Sequence, residues 1–215
     1  MKQLIKTMVL GGCILLSNAL LAENWQLKID DEGIQVFQQQ KHDQYHLLHT
    51  KGEFQVTAQP ATVFALLRDL TVCQQWIYGC LEAKRENEWV HMVFKGPLWF
   101  SDRDVVFDIE VTFLSEQQQW LIQLTGQPQF KPNDDYVRID DFNASWLLTP
   151  IDQNQLLVTY ELYMDPGIKL KSGVNKYNRD VTFRTLKNMR EMLNQSPYIE
   201  QKVLPEKYQK MSTEE

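Results

Sequence analysis

The sequence predicts an α+β fold in which a curved antiparallel sheet of about seven strands wraps around one long C-terminal helix. Two periodicities carry this reading: apolar residues recur at every second position through the middle of the chain, and one stretch near the C-terminus switches to the spacing of an amphipathic helix. The order of segments adds to it. Strands, a short helix and a run of antiparallel strands come first, and the long helix then has to cover the apolar face of the sheet.

Gly33 to Gln39 and Tyr45 to Val56 read as strands joined by a polar turn through Lys41, His42 and Asp43. Pro60 can start a short helix carrying Val63, Phe64, Leu66 and Leu67. Val90, Met92 and Phe94 then alternate with Trp89, His91 and Lys95. The clearest alternation lies in Arg103 to Phe113, where Phe107, Ile109, Val111 and Phe113 share one face and Asp108, Glu110 and Thr112 the other. Trp120, Ile122 and Leu124 mark another strand, Phe142, Ala144, Trp146 and Leu148 the next, and Leu156, Val158, Tyr160, Leu162 and Met164 the last. After Asp165-Pro166-Gly167 the spacing predicts a helix from Ser172 to Leu193, with Val174, Tyr177, Val181, Leu186, Met189 and Leu193 in a broad apolar stripe. Beyond Ser196-Pro197 the chain turns polar, and residues 198–215 are expected to form a frayed tail.

The N-terminus has the layout of a secretory signal peptide: Lys2 and Lys6 precede an apolar stretch from Met8 to Leu16, and small residues follow, so cleavage is expected after Ala19 or Ala22. A transmembrane helix needs about 20 apolar residues, and this run is shorter and interrupted by Gly11, Gly12, Ser17 and Asn18. Residues 1–22 are therefore assigned to the signal and residues 23–197 to a single domain. The product is expected to be secreted or periplasmic, soluble and monomeric. A formal charge of −6, or −8 without Lys2 and Lys6, argues against nucleic acid as the main partner. In an oxidising compartment Cys73 and Cys80 would tend to pair, and closing so short a loop is worth about 2 to 3 kcal/mol; the alternative is two reduced, buried thiols. No CxxC is present and His42, His46, His49 and His91 lie in extended sequence, so neither a metal nor a cofactor is implied.

A curved sheet around one helix encloses more volume than the helix side chains fill, and a pocket is expected between them. Strand parity lines it with Met92, Phe94, Arg103, Phe107, Ile109, Val111, Trp120, Ile122, Trp146, Tyr160 and Leu162, while Val181 and Met189 close it from the helix. So apolar a wall suits a hydrophobic small molecule or lipid, bound through surface removed from water at roughly 25 cal/mol per Å². Arg103 or Tyr160 would orient a head group. The plainer reading of Arg103 is an ion pair with a neighbouring acid that pins the strand entry; that of Tyr160 is a core residue. The terminal helix also carries Lys176, Arg179, Arg184, Lys187 and Arg190, a basic face suited to transient contact with an anionic membrane, or else merely solvated.

Four stretches resemble the START lipid-transfer domains, whose helix-grip fold also occurs in the birch-pollen allergen. Trp25 to Phe37, with Gly33-Ile34-Gln35-Val36, is similar to the family's opening; Val63 to Asp69 with Trp76 and Cys80 is similar to its helix and following loop. Pro97-Leu98-Trp99-Phe100-Ser101-Asp102-Arg103-Asp104 resembles its turn into a strand, and Asp165-Pro166-Gly167 leads through Asn175 into the terminal helix. The resemblance implies a lipid-binding helix-grip domain. It departs at Ile168-Lys169-Leu170-Lys171-Ser172, where members often have a Pro and a Trp, and at Met92 and Ile109, where some sterol-binding members bury an acid and an arginine. Lipid binding as a class carries over, and sterol as the ligand does not. No Gly-x-Ser-x-Gly, His-Glu-x-x-His, P-loop or GxGxxG motif occurs. Three readings stay open: a lipid-binding or transfer protein, a cyclase- or hydrolase-like enzyme on the same scaffold, and a protein-interaction module.

Overall fold

The computed structural model of the chain describes residues 24–40, 47–96, 100–132 and 135–212. The expected signal peptide, the turn through Lys41, His42 and Asp43, and Pro97-Leu98-Trp99 lie outside these residues. Strands β1 (Gln26–Asp31), β2 (Ile34–Gln39) and β3 (His49–Thr57) come first, then helices α1 (Pro60–Arg68) and α2 (Cys73–Trp76). Strands β4 (Cys80–Glu86), β5 (Trp89–Phe94), β6 (Arg103–Leu114), β7 (Gln119–Gly126), β8 (Val137–Arg138), β9 (Asp141–Pro150) and β10 (Gln155–Asp165) precede α3 (Lys171–Leu193) and α4 (Glu206–Met211). They form one 10-stranded sheet in the order β1-β2-β3-β10-β9-β7-β6-β5-β4, with β8 pairing β6. Every pairing is antiparallel except β6 with β8.

The sheet thus has 10 strands rather than about seven, and the strands missed share a cause. β1 and β4 are the two edges, mostly exposed or half-buried, and β8 holds only Val137 and Arg138. An edge strand with no fully covered face need not alternate, so no period-two signal marks it. The β1–β2 hairpin closes through Glu32 and Gly33, both at positive φ (50° and 71°), the geometry that a two-residue loop needs to match the strand twist.

Helix α3 crosses the concave face against β2, β3 and β10. It buries Val174, Leu186, Met189 and Leu193 together with Asn178, Thr182 and Thr185. Fit there requires the missing side chain of Gly52, because a Cβ would stand 2.4 Å from Leu186 Cδ1. The C-terminal segment corrects the expectation of a frayed tail. Tyr198 is buried and donates to Asp69 Oδ2 at 2.8 Å, while Leu204, Tyr208 and Met211 pack on the core cluster. Aromatic and aliphatic residues spaced along a polar segment suffice to dock it, which an average over its composition conceals.

The outer face of the sheet holds a buried polar cluster. Asp104, 1% exposed, accepts from Arg138 through Nε at 3.0 Å and Nη2 at 2.8 Å, and lies 2.9 Å from His91 Nε2. Arg138 also donates to the carbonyls of Lys131, at 2.9 Å, and Pro128. Burial pushes the Asp104 carboxyl up, but the hydrogen bonds from Arg138 and His91 outweigh it and hold the carboxyl below its ordinary range.

Candidate functional site

Between α3 and the half of the sheet formed by β5, β6, β7, β9 and β10 lies a cavity of about 1070 Å³ of atom-free space, its mouth included. Alternation aims side chains inward from neighbouring strands. Met92 and Phe94 come from β5, Arg103, Phe107 and Ile109 from β6, Ile122 from β7, Trp146 from β9, and Tyr160 and Leu162 from β10; Val181 closes the space from α3. Each of these residues stands where strand parity or helix spacing places it.

Three predicted lining residues lie elsewhere. Trp120 packs edge-on to Phe64, with centroids 5.4 Å apart, and at 4.7 Å from Phe113, as part of a solid aromatic cluster. Met189, fully buried, belongs to the core between α3 and the sheet. Val111 lines a second pocket with Phe64, Arg68, Arg85, Pro205, Lys207 and Tyr208. The two pockets share Leu67, Ile109 and Ile122, so they adjoin along β6, and the second, toward the docked C-terminal segment, also carries the cations Arg68, Arg85 and Lys207. Parity fixes which face a side chain takes but not how far along the strand the helix withdraws from it.

The wall also includes residues not anticipated. Leu124, Phe142 and Met164 share the inward parity already recognised, and Tyr177 and Thr185 flank Val181 at intervals of four, the spacing of one helix face. Leu67 comes from α1, the short helix that Pro60 starts, while Leu70, Trp76, Ile77 and Tyr78 come from α2 and the turns beside it, where no periodic signal exists. Tyr78 and Lys95 are the exposed lining residues, which marks the mouth. There the Tyr78 amide donates to Thr185 Oγ1 at 3.1 Å and Asn188 Nδ2 donates to the Trp76 carbonyl at 3.4 Å, tying the α2 segment to α3. Cys73 and Cys80 are joined as a disulfide across the same segment, with Cα atoms 5.9 Å apart.

Arg103 differs from its plainer reading. It is buried, its Nε donates to the Pro166 carbonyl at 3.5 Å and its Nη1 to the Ser101 carbonyl, and the guanidinium lies over the Phe100 ring at 5.4 Å. No carboxylate pairs with it among the described residues. The neighbouring acids make their direct contacts elsewhere: Asp104 binds His91 and Arg138 on the outer face, and Asp102, on which the Arg103 charge acts only through space, binds Lys95 and the Gly96 amide. Tyr160 stacks on Trp146 with centroids 4.1 Å apart, and burial pushes its hydroxyl well above the ordinary tyrosine range. It stays a neutral phenol at physiological pH, able to donate a hydrogen bond but not poised as a base.

The basic face of α3 is partly engaged. Lys187 pairs with Glu32 at 2.6 Å, Arg190 with the same carboxylate at 3.8 Å, and Arg179 with Asp180 at 2.9 Å. Lys176 and Arg184 have no acidic partner among the described residues, and Arg184 stacks over Tyr78 at 4.8 Å, beside the mouth. The described residues include no group of three or more His, Cys, Asp and Glu side chains arranged to hold a metal and no helix long and apolar enough to cross a membrane.

No family model matches the chain. An uncharacterized protein of Pseudomonas aeruginosa is 28% identical over 203 residues, which cover 88% of this chain and 97% of that protein. Among solved structures, a STAR-related lipid transfer protein of Xanthomonas axonopodis superposes with a TM-score of 0.72 at 25% identity, covering 80% of this chain and 99% of that one. Human STARD10 gives 0.70 at 20% identity, over 88% and 82% of the respective chains.

Proposed function

Since the chain is a START-like domain with the helix-grip fold, we propose that it is an exported, monomeric lipid-binding or lipid-transfer protein that holds a hydrophobic ligand between the sheet and α3. The supporting observation is the cavity itself: a partly open space between α3 and the sheet, walled mainly by Phe, Ile, Leu, Met and Trp side chains. Apolar walls bind through the area withdrawn from water, at roughly 25 cal/mol per Å². Loading requires movement at the mouth, where Tyr78 and Lys95 are exposed, either of the α2 segment or of α3. On α3, Lys176 and Arg184 are the cations without an acidic partner among the described residues and would hold that end near an anionic bilayer, since Lys187 and Arg190 are occupied by Glu32 and Arg179 by Asp180.

Ile109→Trp tests the reading, because Ile109 faces open space in both pockets. In a solid core such an enlargement costs about 1 to 3 kcal/mol. Here the variant is expected to unfold in urea within about 1 kcal/mol of the parent while losing most of its uptake of a fluorescent lipid. Marked destabilisation, together with no uptake by the parent and no co-purified lipid in its mass spectrum, would make these residues a plain core.

A further inference from the structure

None of the side chains lining the cavity is acidic, whereas Arg103 and Lys95 are cationic. Lys95 is mostly exposed and lies 3.1 Å from Asp102, so its charge is answered within the chain. Arg103 is not in that position. It is only 6% exposed, its recorded hydrogen bonds run to two neutral carbonyls, and its Nη2 makes none to the described residues. A guanidinium this largely buried has carbonyl dipoles as its direct partners, while the neighbouring Asp102 spends its hydrogen bonds on Lys95 and the Gly96 amide and reaches Arg103 only through space; folded proteins tend to pair such a charge directly. The other groups near the mouth, the hydroxyls of Tyr177 and Tyr78, are hydrogen-bond donors to an anion as well.

We propose, resting on the lipid-binding reading above, that the ligand is an amphiphile with an anionic head group, a carboxylate or phosphate, which docks on Arg103 beside Tyr177 at the mouth. The planar fork of arginine matches two oxygens of either group. The tail then runs inward along β6, past Phe107 to Ile109, a span of about 20 Å at the rise of a strand, and longer chains continue toward the second pocket through the shared residues Leu67, Ile109 and Ile122. Neutral lipids of the same length would fill the same walls but leave the guanidinium unanswered. The charge of the head group, rather than its shape, selects the cargo.

The test offers delipidated protein equimolar oleate and oleyl alcohol at pH 8 and reads occupancy by native mass spectrometry, with inorganic phosphate alone as a third arm. Oleate is expected to be favoured on the order of tenfold, the worth of a charge-assisted hydrogen bond, and Arg103→Leu should bring the two within about twofold by the same arithmetic. Equal occupancy in the parent protein overturns the head-group inference and leaves lipid binding intact. Occupancy by neither compound overturns the lipid reading itself. Phosphate binding as tightly as oleate overturns the amphiphile and assigns Arg103 to a free anion. Should Arg103→Leu not fold, the oleate to alcohol ratio of the parent protein decides alone.

Discussion

Across β2, β3 and β10 the helix α3 lies directly on the sheet, so close that a Cβ on Gly52 would stand 2.4 Å from Leu186 Cδ1 and 2.7 Å from Thr182 Cγ2. Across β5, β6 and β7 the same helix stands off, and Met92, Phe107, Ile109 and Ile122 face open space instead. The sheet meets α3 closely along only part of its width, so a solid half and a hollow half arise together. The hollow half forgoes dispersion contacts that the solid half makes. It is braced from other sides: by the buried His91, Asp104 and Arg138 cluster on the outer face, and by the Cys73–Cys80 link beside the mouth.

Removing a brace should therefore cost more than disturbing a cavity wall. Asp104→Ala leaves Arg138 and His91 without their shared carboxylate, and breaking a buried pair in this way costs about 3 to 5 kcal/mol. Urea unfolding at neutral pH should show the loss. The folded pKa of Asp104 is held below its unfolded value, about 3.9, so its contribution is complete above that value and is lost as the pH falls through the folded one. The gap between parent and variant should narrow over that acidic window alone. A gap unchanged through acid would show that the carboxylate's charge is not what braces this half.

The solid half breaks by crowding. Gly52→Val places its branches into Leu186 and Thr182 and is expected to destabilise by about 1 to 3 kcal/mol, whereas Ile109→Trp, an enlargement of comparable volume on the hollow side, is nearly free. If the two substitutions cost the same in urea, the halves do not differ as described.

How far the sequence exposes this asymmetry depends on what each signal measures. Period-two alternation in Phe107, Ile109 and Val111 assigns all three to the concave face, and they lie there. It cannot tell that Ile109 borders open space while Trp120, opposite Phe113 in the neighbouring strand, is packed by Phe64 and Tyr208. That distinction depends on where α3 and the C-terminal segment come to rest, a tertiary property without local periodicity. The edges β1 and β4 escape notice because exposed strands need no apolar face. The mouth residues Ile77 and Tyr78 sit in a turn after α2, where only three-dimensional proximity makes them part of the wall. Arg103 is recognisable from its parity as an inward cation, yet its lack of an acid partner is visible only once Asp102 and Asp104 are seen to turn elsewhere.

The smallest expected effect on stability concerns the boundary between the halves, where the α2 segment must separate from α3 if the cavity is to open on that side. The Tyr78 amide holds it by donating to Thr185 Oγ1 at 3.1 Å, within a helix face otherwise formed by Tyr177 and Val181. Thr185→Val keeps the volume and removes the acceptor, so the closed state loses about 1 kcal/mol of hydrogen bonding, while an opened state, whose amide meets water, loses nothing. The open population should then rise about fivefold, since 1.4 kcal/mol corresponds to a factor of ten. Stopped-flow transfer of a fluorescent lipid from vesicles should quicken by a similar factor if opening limits exchange, with urea stability lowered by no more than about 1 kcal/mol. An unchanged transfer rate, with stability lowered as expected, would place the gate away from the α2 segment and leave a swing of α3 itself as the motion that admits the ligand.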